Sequence, residues 1–486
     1  MILLHKTVYT WLGFFAIAVY LAFIGYCIRE EKFFYLAFPL MVTAGIFAFL
    51  KMDKTLLLIY FLAPLSVPLR TFFPQFDLDF YITTEPFLAF LTILFIIKTG
   101  IFRQIDKRIF LHPVSIAVFF SLFWILVTSI TSTMPLVSVK FLVSRVWFVV
   151  PFYFMAVMLF QKIQNIRTFI YLYLVGLIIV IVYTFNNHMA YGLNDQQAAN
   201  WMCYPFYNDH TSYGAAIVMM IFGLMATYQL RSAKKTEMLF MAAGMAILLI
   251  ALVYSYTRAA WVSLAGVAAI WLLIRMKIPF KWIAFGVTVS IISFILVFNS
   301  VMDQLERNQQ DASGNFSEHL TSITNISTDA SNVERLNRWN STLRMFSEKP
   351  VFGWGPGTYM FQYAPFQYER EKTIISTNFG DGGNAHSEYL GPLAESGVFG
   401  SLYFLVIGVL SFITGMRVYK RAASYKIRNF ALTITLGLST YLLHAFLNNF
   451  LDTDKISALF WGFIAILVSM DIYALKTDPK TPLANE

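Results

Sequence analysis

Apolar residues in this chain do not alternate with polar ones at a strand period. They run on for about 17 to 23 residues, stop at a few charges or a Gly/Pro turn, and resume. Runs of that length predict membrane-spanning helices. Windows near twenty residues place them at 8–28, 33–50, 55–69, 85–99, 114–132, 138–160, 168–190, 211–230, 236–254, 259–274, 280–300, 387–416, 429–448 and 456–475. The third is short and the twelfth long, so about 12 to 14 spans are expected, in an all-α polytopic integral membrane protein. The first run, Val8 to Ile28, is too long for a signal-peptide core and no small-residue cleavage pattern follows it, so it reads as a retained helix.

One stretch breaks the pattern. From Asp303 to His386 the chain is polar, which divides it into N-terminal spans (1–300), a loop region (301–386) and C-terminal spans with a short tail (387–486). Arg307 to Asn315 has no periodicity. Ser331-Asn332-Val333-Glu334 then has capping-box spacing, and good helix formers continue from Val333 to Ser347 before Pro350 stops them. Arg335, Arg338, Trp339 and Thr342 share one face of that helix. Next comes Gly353-Trp354-Gly355-Pro356-Gly357, which cannot be regular helix. The aromatic segment after it, with Phe361, Tyr363, Phe366 and Tyr368, reads as an interfacial belt rather than a sugar-stacking platform.

Composition sharpens this picture. The chain of 486 residues is 58% hydrophobic and 17% aromatic but only 13% charged, half the share of a soluble protein. Its net charge of +9 is scattered between apolar runs and forms no stripe for nucleic acid. Placing both termini in the cytoplasm puts about 22 Lys and Arg on that side and about 12 on the other, seven of them in the one long loop, where the rule does not count them. The loop is therefore expected in the periplasm or outside the cell, and the protein in a bacterial inner membrane. Cys27 and Cys203 have no metal spacing and receive no role. No internal repeat is present, and Gly and Pro interruptions do not recur in two halves, which argues against a transporter.

Three segments carry a family resemblance. Tyr254-Ser255-Tyr256-Thr257-Arg258 puts an arginine just beyond the ninth span. Arg335-Leu336-Asn337-Arg338-Trp339 is followed by the glycine turn. His386-Ser387-Glu388-Tyr389-Leu390 continues to Leu393, Glu395, Gly397 and Gly400. In this order and around the largest loop, they resemble the O-antigen ligase and polymerase family of membrane glycosyltransferases, over about residues 200 to 450. One position departs from that family: Ser387 stands where an Asn often follows the histidine.

The resemblance implies transfer of a glycan from a polyprenyl (undecaprenyl) diphosphate to an acceptor hydroxyl in surface polysaccharide or lipopolysaccharide biosynthesis, by ligase or polymerase chemistry. It implies Arg258 and Arg335 at the diphosphate and His386 near the acceptor hydroxyl. The residue types suit those tasks. A guanidinium fork matches phosphate oxygens and stays charged, while an imidazole titrates near working pH. Taken alone, Arg258 reads equally as an interfacial snorkelling side chain, Arg335 and Arg338 as a solvated helix face, and His386 as a cap. Arg338 is a second diphosphate candidate, one turn from Arg335. Arg145, deep in the sixth span with Lys140 nearer its end, is another, with pairing to an acidic side chain as its alternative. Polar residues expected near the outer face, among them Asp209, His210, His444, Asn448 and Asp452, either line an acceptor groove or end helices. The expected partners are a polyprenyl-diphosphate-linked glycan, a lipid, glycan or protein acceptor, and the membrane, with no nucleic acid. No metal or cofactor is expected, and in-line displacement would invert the anomeric centre. The rival reading is a lipid-linked oligosaccharide transporter.

The charge asymmetry yields a direct test. Cysteines introduced at Ser313 and Asn325 should react with an impermeant thiol reagent in intact spheroplasts; labelling only after lysis would reverse the orientation.

Overall fold

The computed structural model describes residues 2–30, 38–72, 80–102, 106–230, 234–278, 330–372, 376 and 383–474, with 289 and 293. Apart from those last two positions, the eleventh expected span (280–300) lies outside the described residues, as do the 301 boundary, the polar stretch 303–329 and the C-terminal tail. The chain separates into a small unit, Met1–Thr55, and a large one, Leu56–Glu486. The small unit holds α1 (Ile2–Arg29), α2 (Phe38–Leu50) and the start of α3 (Met52–Leu62).

The large unit continues with α4 (Glu85–Phe102), α5 (Pro113–Ile130), α6 (Pro135–Leu159), α7 (Ile163–Met189), α8 (His210–Gln229), α9 (Lys235–Tyr254), α10 (Arg258–Arg275), α11 (Ala330–Glu348), α12 (Gly391–Arg421), α13 (Tyr425–His444) and α14 (Asp454–Tyr473). Among the described residues, eight helices are long and apolar enough to cross a membrane: α5 to α10, α12 and α14. The protein is thus an all-α polytopic membrane protein, as its apolar runs predict.

Two expected spans differ in the structure. The third, 55–69, is the 11-residue α3 followed by a tight turn at Ala63–Leu65; Pro64 and Pro68 end it. Eleven residues rise roughly 16 Å, about half a bilayer's apolar thickness. The twelfth starts at Gly391 rather than 387, because 386–390 forms a turn whose backbone is held by other elements.

The centre of the large unit is α14, buried from Asp454 to Met470 and packed against α6, α8, α12 and α13. Helix α13 lies against α8, α10 and α12. It carries hydroxyls that bond back into its own carbonyls, Thr435 to Ala431 and Ser439 to Thr435, so their polarity is spent within the helix. At one end, Asp471 of α14 accepts from His112 Nε2 (3.1 Å), which caps α5, and from Arg417 Nη1 (2.7 Å) of α12. That end is tied down by charge. The other carries the loop region.

There α12 is broken. Gly397 sits at φ +69°, a left-handed conformation, and the break leaves peptide groups of residues 394–396 open to other partners. The glycine turn fills them: Trp354 N donates to Ala394 O (3.0 Å) and Gly355 N to Glu395 O (2.8 Å). Gly353, also at positive φ, approaches so closely that a Cβ would stand 2.3 Å from the Glu395 carbonyl carbon. The aromatic segment divides. Phe361 and Tyr368 are exposed, as a belt requires, but Tyr359 and Tyr363 stack in a small core with Met345, Ala385 and Ala394, flanked by Trp354 and Phe366. Removing that area from water favours burial of those rings over a place in the interface.

Candidate functional site

Helix α11 covers the predicted run from Val333 to Ser347 but begins at Ala330, so Ser331 lies inside the helix rather than capping it, and its inward face is polar. Arg338 is 7% exposed. Its Nε donates to Glu334 Oε1 (2.7 Å) one turn back, its Nη1 donates to Asn384 O (3.1 Å), and its guanidinium lies over the Tyr363 ring (5.4 Å). The Tyr359 hydroxyl donates to the Arg338 carbonyl (2.8 Å). Asn337 Nδ2 donates to Gln367 Oε1 (2.8 Å). Arg338 therefore fastens the 383–386 segment to α11. The remaining sequence-predicted arginine of this helix, Arg335, is half-buried and donates from Nε to Leu447 O (3.3 Å), in the turn between α13 and α14.

His386 sits at the end of that fastened segment in a left-handed backbone conformation, φ +47°. Positive φ is uncommon outside glycine, and here it is held by two contacts: His386 N donates to the Asn384 side chain (3.0 Å), and Asn384 O takes Arg338. Burial first, then the Arg335 and Arg338 guanidiniums, pushes the imidazole down to about 3, against the pull of Asp209. His386 is therefore neutral near pH 7, with a ring nitrogen available to accept a proton. An anion that neutralised the two guanidiniums would raise its proton affinity.

Two residues on, Glu388 is buried among apolar neighbours. Its Oε1 accepts from Phe450 N (2.8 Å), Leu451 N (2.8 Å) and the Tyr441 hydroxyl (2.7 Å), and its own N donates to Ala445 O (2.9 Å). The same 445–453 turn is gripped from its carbonyl side by Arg145 of α6. Arg145 Nη1 donates to Leu451 O (3.1 Å) and Nη2 to Asp452 Oδ1 (2.7 Å), with the guanidinium over Phe141. Of the two readings open for Arg145, the structure thus places an acidic partner beside it. Asp452 is itself half-exposed.

Arg258 opens α10. The preceding Tyr256 turns at φ +49°, and Thr257 Oγ1 donates to His210 O (2.7 Å) in the first turn of α8. Asp209 caps that turn, accepting from Thr211 N (2.8 Å) and Ser212 N (2.9 Å). Helices α8 and α10 both pack on α13, whose last residue, His444, pairs through Nε2 with the Asn448 amide (3.1 Å). Arg335, Arg338 and His386 thus lie together, Arg258 joins through the first turn of α8, and Arg145 reaches the neighbourhood from behind the 445–453 turn.

The sequence segments assign no role to Glu388. Its signal was present: a carboxylate at the edge of an apolar run is costly without dedicated donors.

Residues 243–405 match the family model described as O-antigen ligase, a segment that covers about a third of the chain and contains Arg258, Arg335, Arg338, His386 and Glu388. No curated protein matches the chain. The match supports the family resembled by the three sequence segments, and with it ligase- or polymerase-type activity in polysaccharide biosynthesis.

The depressed His386 can be read by carbethoxylation, which needs the neutral ring. In the wild type the rate at this residue should stay flat from about pH 7.5 to about pH 5, whereas Arg335→Ala, lacking one cause of the depression, should lose reactivity toward the acid end. Loss of reactivity at the same acid pH in both proteins, followed down to about pH 3, would show that Arg335 does not act on the ring.

Proposed function

We propose that the protein transfers a glycan from a polyprenyl diphosphate to an acceptor hydroxyl at the outer face of a bacterial cytoplasmic membrane. The observation that carries this reading is a buried histidine within electrostatic reach of two arginines, inside the segment that matches the O-antigen ligases. Arg258 and Arg335 take the diphosphate oxygens. Arg338 and Arg145, each already bound to a carboxylate, supply positive field and hold the backbone that presents the others.

The acceptor oxygen attacks the anomeric carbon as the bond from that carbon to the diphosphate oxygen breaks. His386 accepts the hydroxyl proton, and the polyprenyl diphosphate leaves with the electron pair. Attack in line with the departing oxygen inverts the anomeric centre. The leaving group is a stable anion whose charge two guanidiniums can take up, so this step calls on no metal. Donor binding primes the base, because diphosphate charge offsets the arginines that keep His386 from protonating.

Purified protein in proteoliposomes should convert a polyprenyl-diphosphate glycan and an acceptor into glycosylated acceptor and free polyprenyl diphosphate. Arg335→Ala should lower that rate by about a hundredfold or more, and Arg335→Lys should recover little, since an ammonium lacks the fork. Movement of the lipid across the bilayer without conversion would instead make the protein a transporter.

A further inference from the structure

We propose that Glu388 is a positioning residue of the transfer site: its carboxylate locks the 445–453 turn, which holds Arg335, to the segment that carries His386, and so fixes the spacing between diphosphate clamp and proton acceptor. The proposal rests on the transfer reading above and deepens it.

The two halves of the site belong to different parts of the chain. His386 comes from the loop region, and its backbone is set from the α11 side by Arg338 and Asn384. Arg335 is steadied by the Leu447 carbonyl, 112 positions further along the chain. Glu388 is where these meet. One buried oxygen collects Phe450 N, Leu451 N and the Tyr441 hydroxyl at 2.7 to 2.8 Å, while the Glu388 amide donates to Ala445 O. The backbone of Leu451 is then held on both sides of its Cα, its N–H by Glu388 and its C=O by Arg145. Ser387 adds a local stop, since its hydroxyl accepts from Tyr389 N and Leu390 N, both at 3.3 Å. With three donors on Oε1, the carboxylate serves the turn. Its effect passes through His386 and Arg335.

What the turn needs from residue 388 is an oxygen that accepts three donors, and this separates the proposal from a role for the charge. Glutamine offers such an oxygen in the same place; aspartate is one methylene too short to reach all three donors; alanine offers none. In proteoliposomes with a polyprenyl-diphosphate glycan as probe, Glu388→Ala should bind donor within about threefold of wild type yet transfer about a hundredfold more slowly, the scale of a misplaced reacting group. Glu388→Gln should recover transfer to within about fivefold of wild type. Should Glu388→Ala fail to reach the membrane, Glu388→Asp decides, with slowed transfer at retained donor binding as the expected result. Wild-type transfer by the alanine or aspartate variant, or a glutamine variant as slow as alanine, overturns the proposal.

Wild-type protein that does not transfer at all sinks the functional reading instead. The positioning claim is then settled by carbethoxylation of His386, faster in Glu388→Ala than in wild type and restored by Glu388→Gln if the carboxylate holds the segment, and equal in all three if it does not.

Discussion

A turn between two packed helices cannot leave its peptide groups unpaired in apolar surroundings, because each orphan costs several kcal/mol. The turn from Ala445 to Thr453 meets that constraint with side chains from three distant parts of the chain. Glu388 takes two of its N–H groups, Arg335 and Arg145 take two of its carbonyls, and the Glu388 amide takes a third. Bonds to charged groups are worth about 1.5 to 3 kcal/mol each, and breaking one partner away leaves the other buried and unpaired. The residues around His386 are therefore assembled by the backbone needs of one turn.

A second consequence is electrostatic. With Arg335 and Arg338 beside it and little water, His386 is held neutral far below the ordinary histidine range. In the proposed reaction an anionic lipid headgroup would offset that positive charge, and His386 would gain strength as a base only with the donor in place. Arg338 and Arg145 show the complementary arrangement: each keeps a carboxylate within hydrogen-bonding distance, Glu334 and Asp452, and each holds a backbone carbonyl of a neighbouring segment. Of the four arginines, which look alike in the sequence, Arg338 and Arg145 are thus each bound to a carboxylate.

Much of this was legible in the sequence. Long apolar runs read as helices because their length follows from bilayer thickness alone, and α11 read as a helix because its run of good helix formers is local, although the helix starts at Ala330, ahead of the expected cap at Ser331. The glycine turn likewise announced itself, with Gly353, Gly355 and Gly357 all at positive φ. Helix ends were less clear. The twelfth span was expected four residues early, since Tyr389 and Leu390 are as apolar as the helix they precede. Pairings across the fold were not legible at all. Arg145 meets Asp452 across 307 positions, and Glu388 meets Leu451 across 63, and no local pattern encodes either. Tyr363 looked like an interfacial residue because its neighbours Phe361 and Tyr368 are, while its burial depends on α11 and α12 closing over it.

The assignment that matters most is the division of labour between His386 and the arginines, and one comparison separates them. Lipid-diphosphate binding and glycan transfer should be measured on His386→Ala beside wild type. Retained binding with transfer reduced by about two to four orders of magnitude is the expected result, the usual contribution of a positioned base. Lost binding with residual transfer at saturating donor would make His386 a diphosphate ligand, and unchanged transfer would remove it from the chemistry altogether.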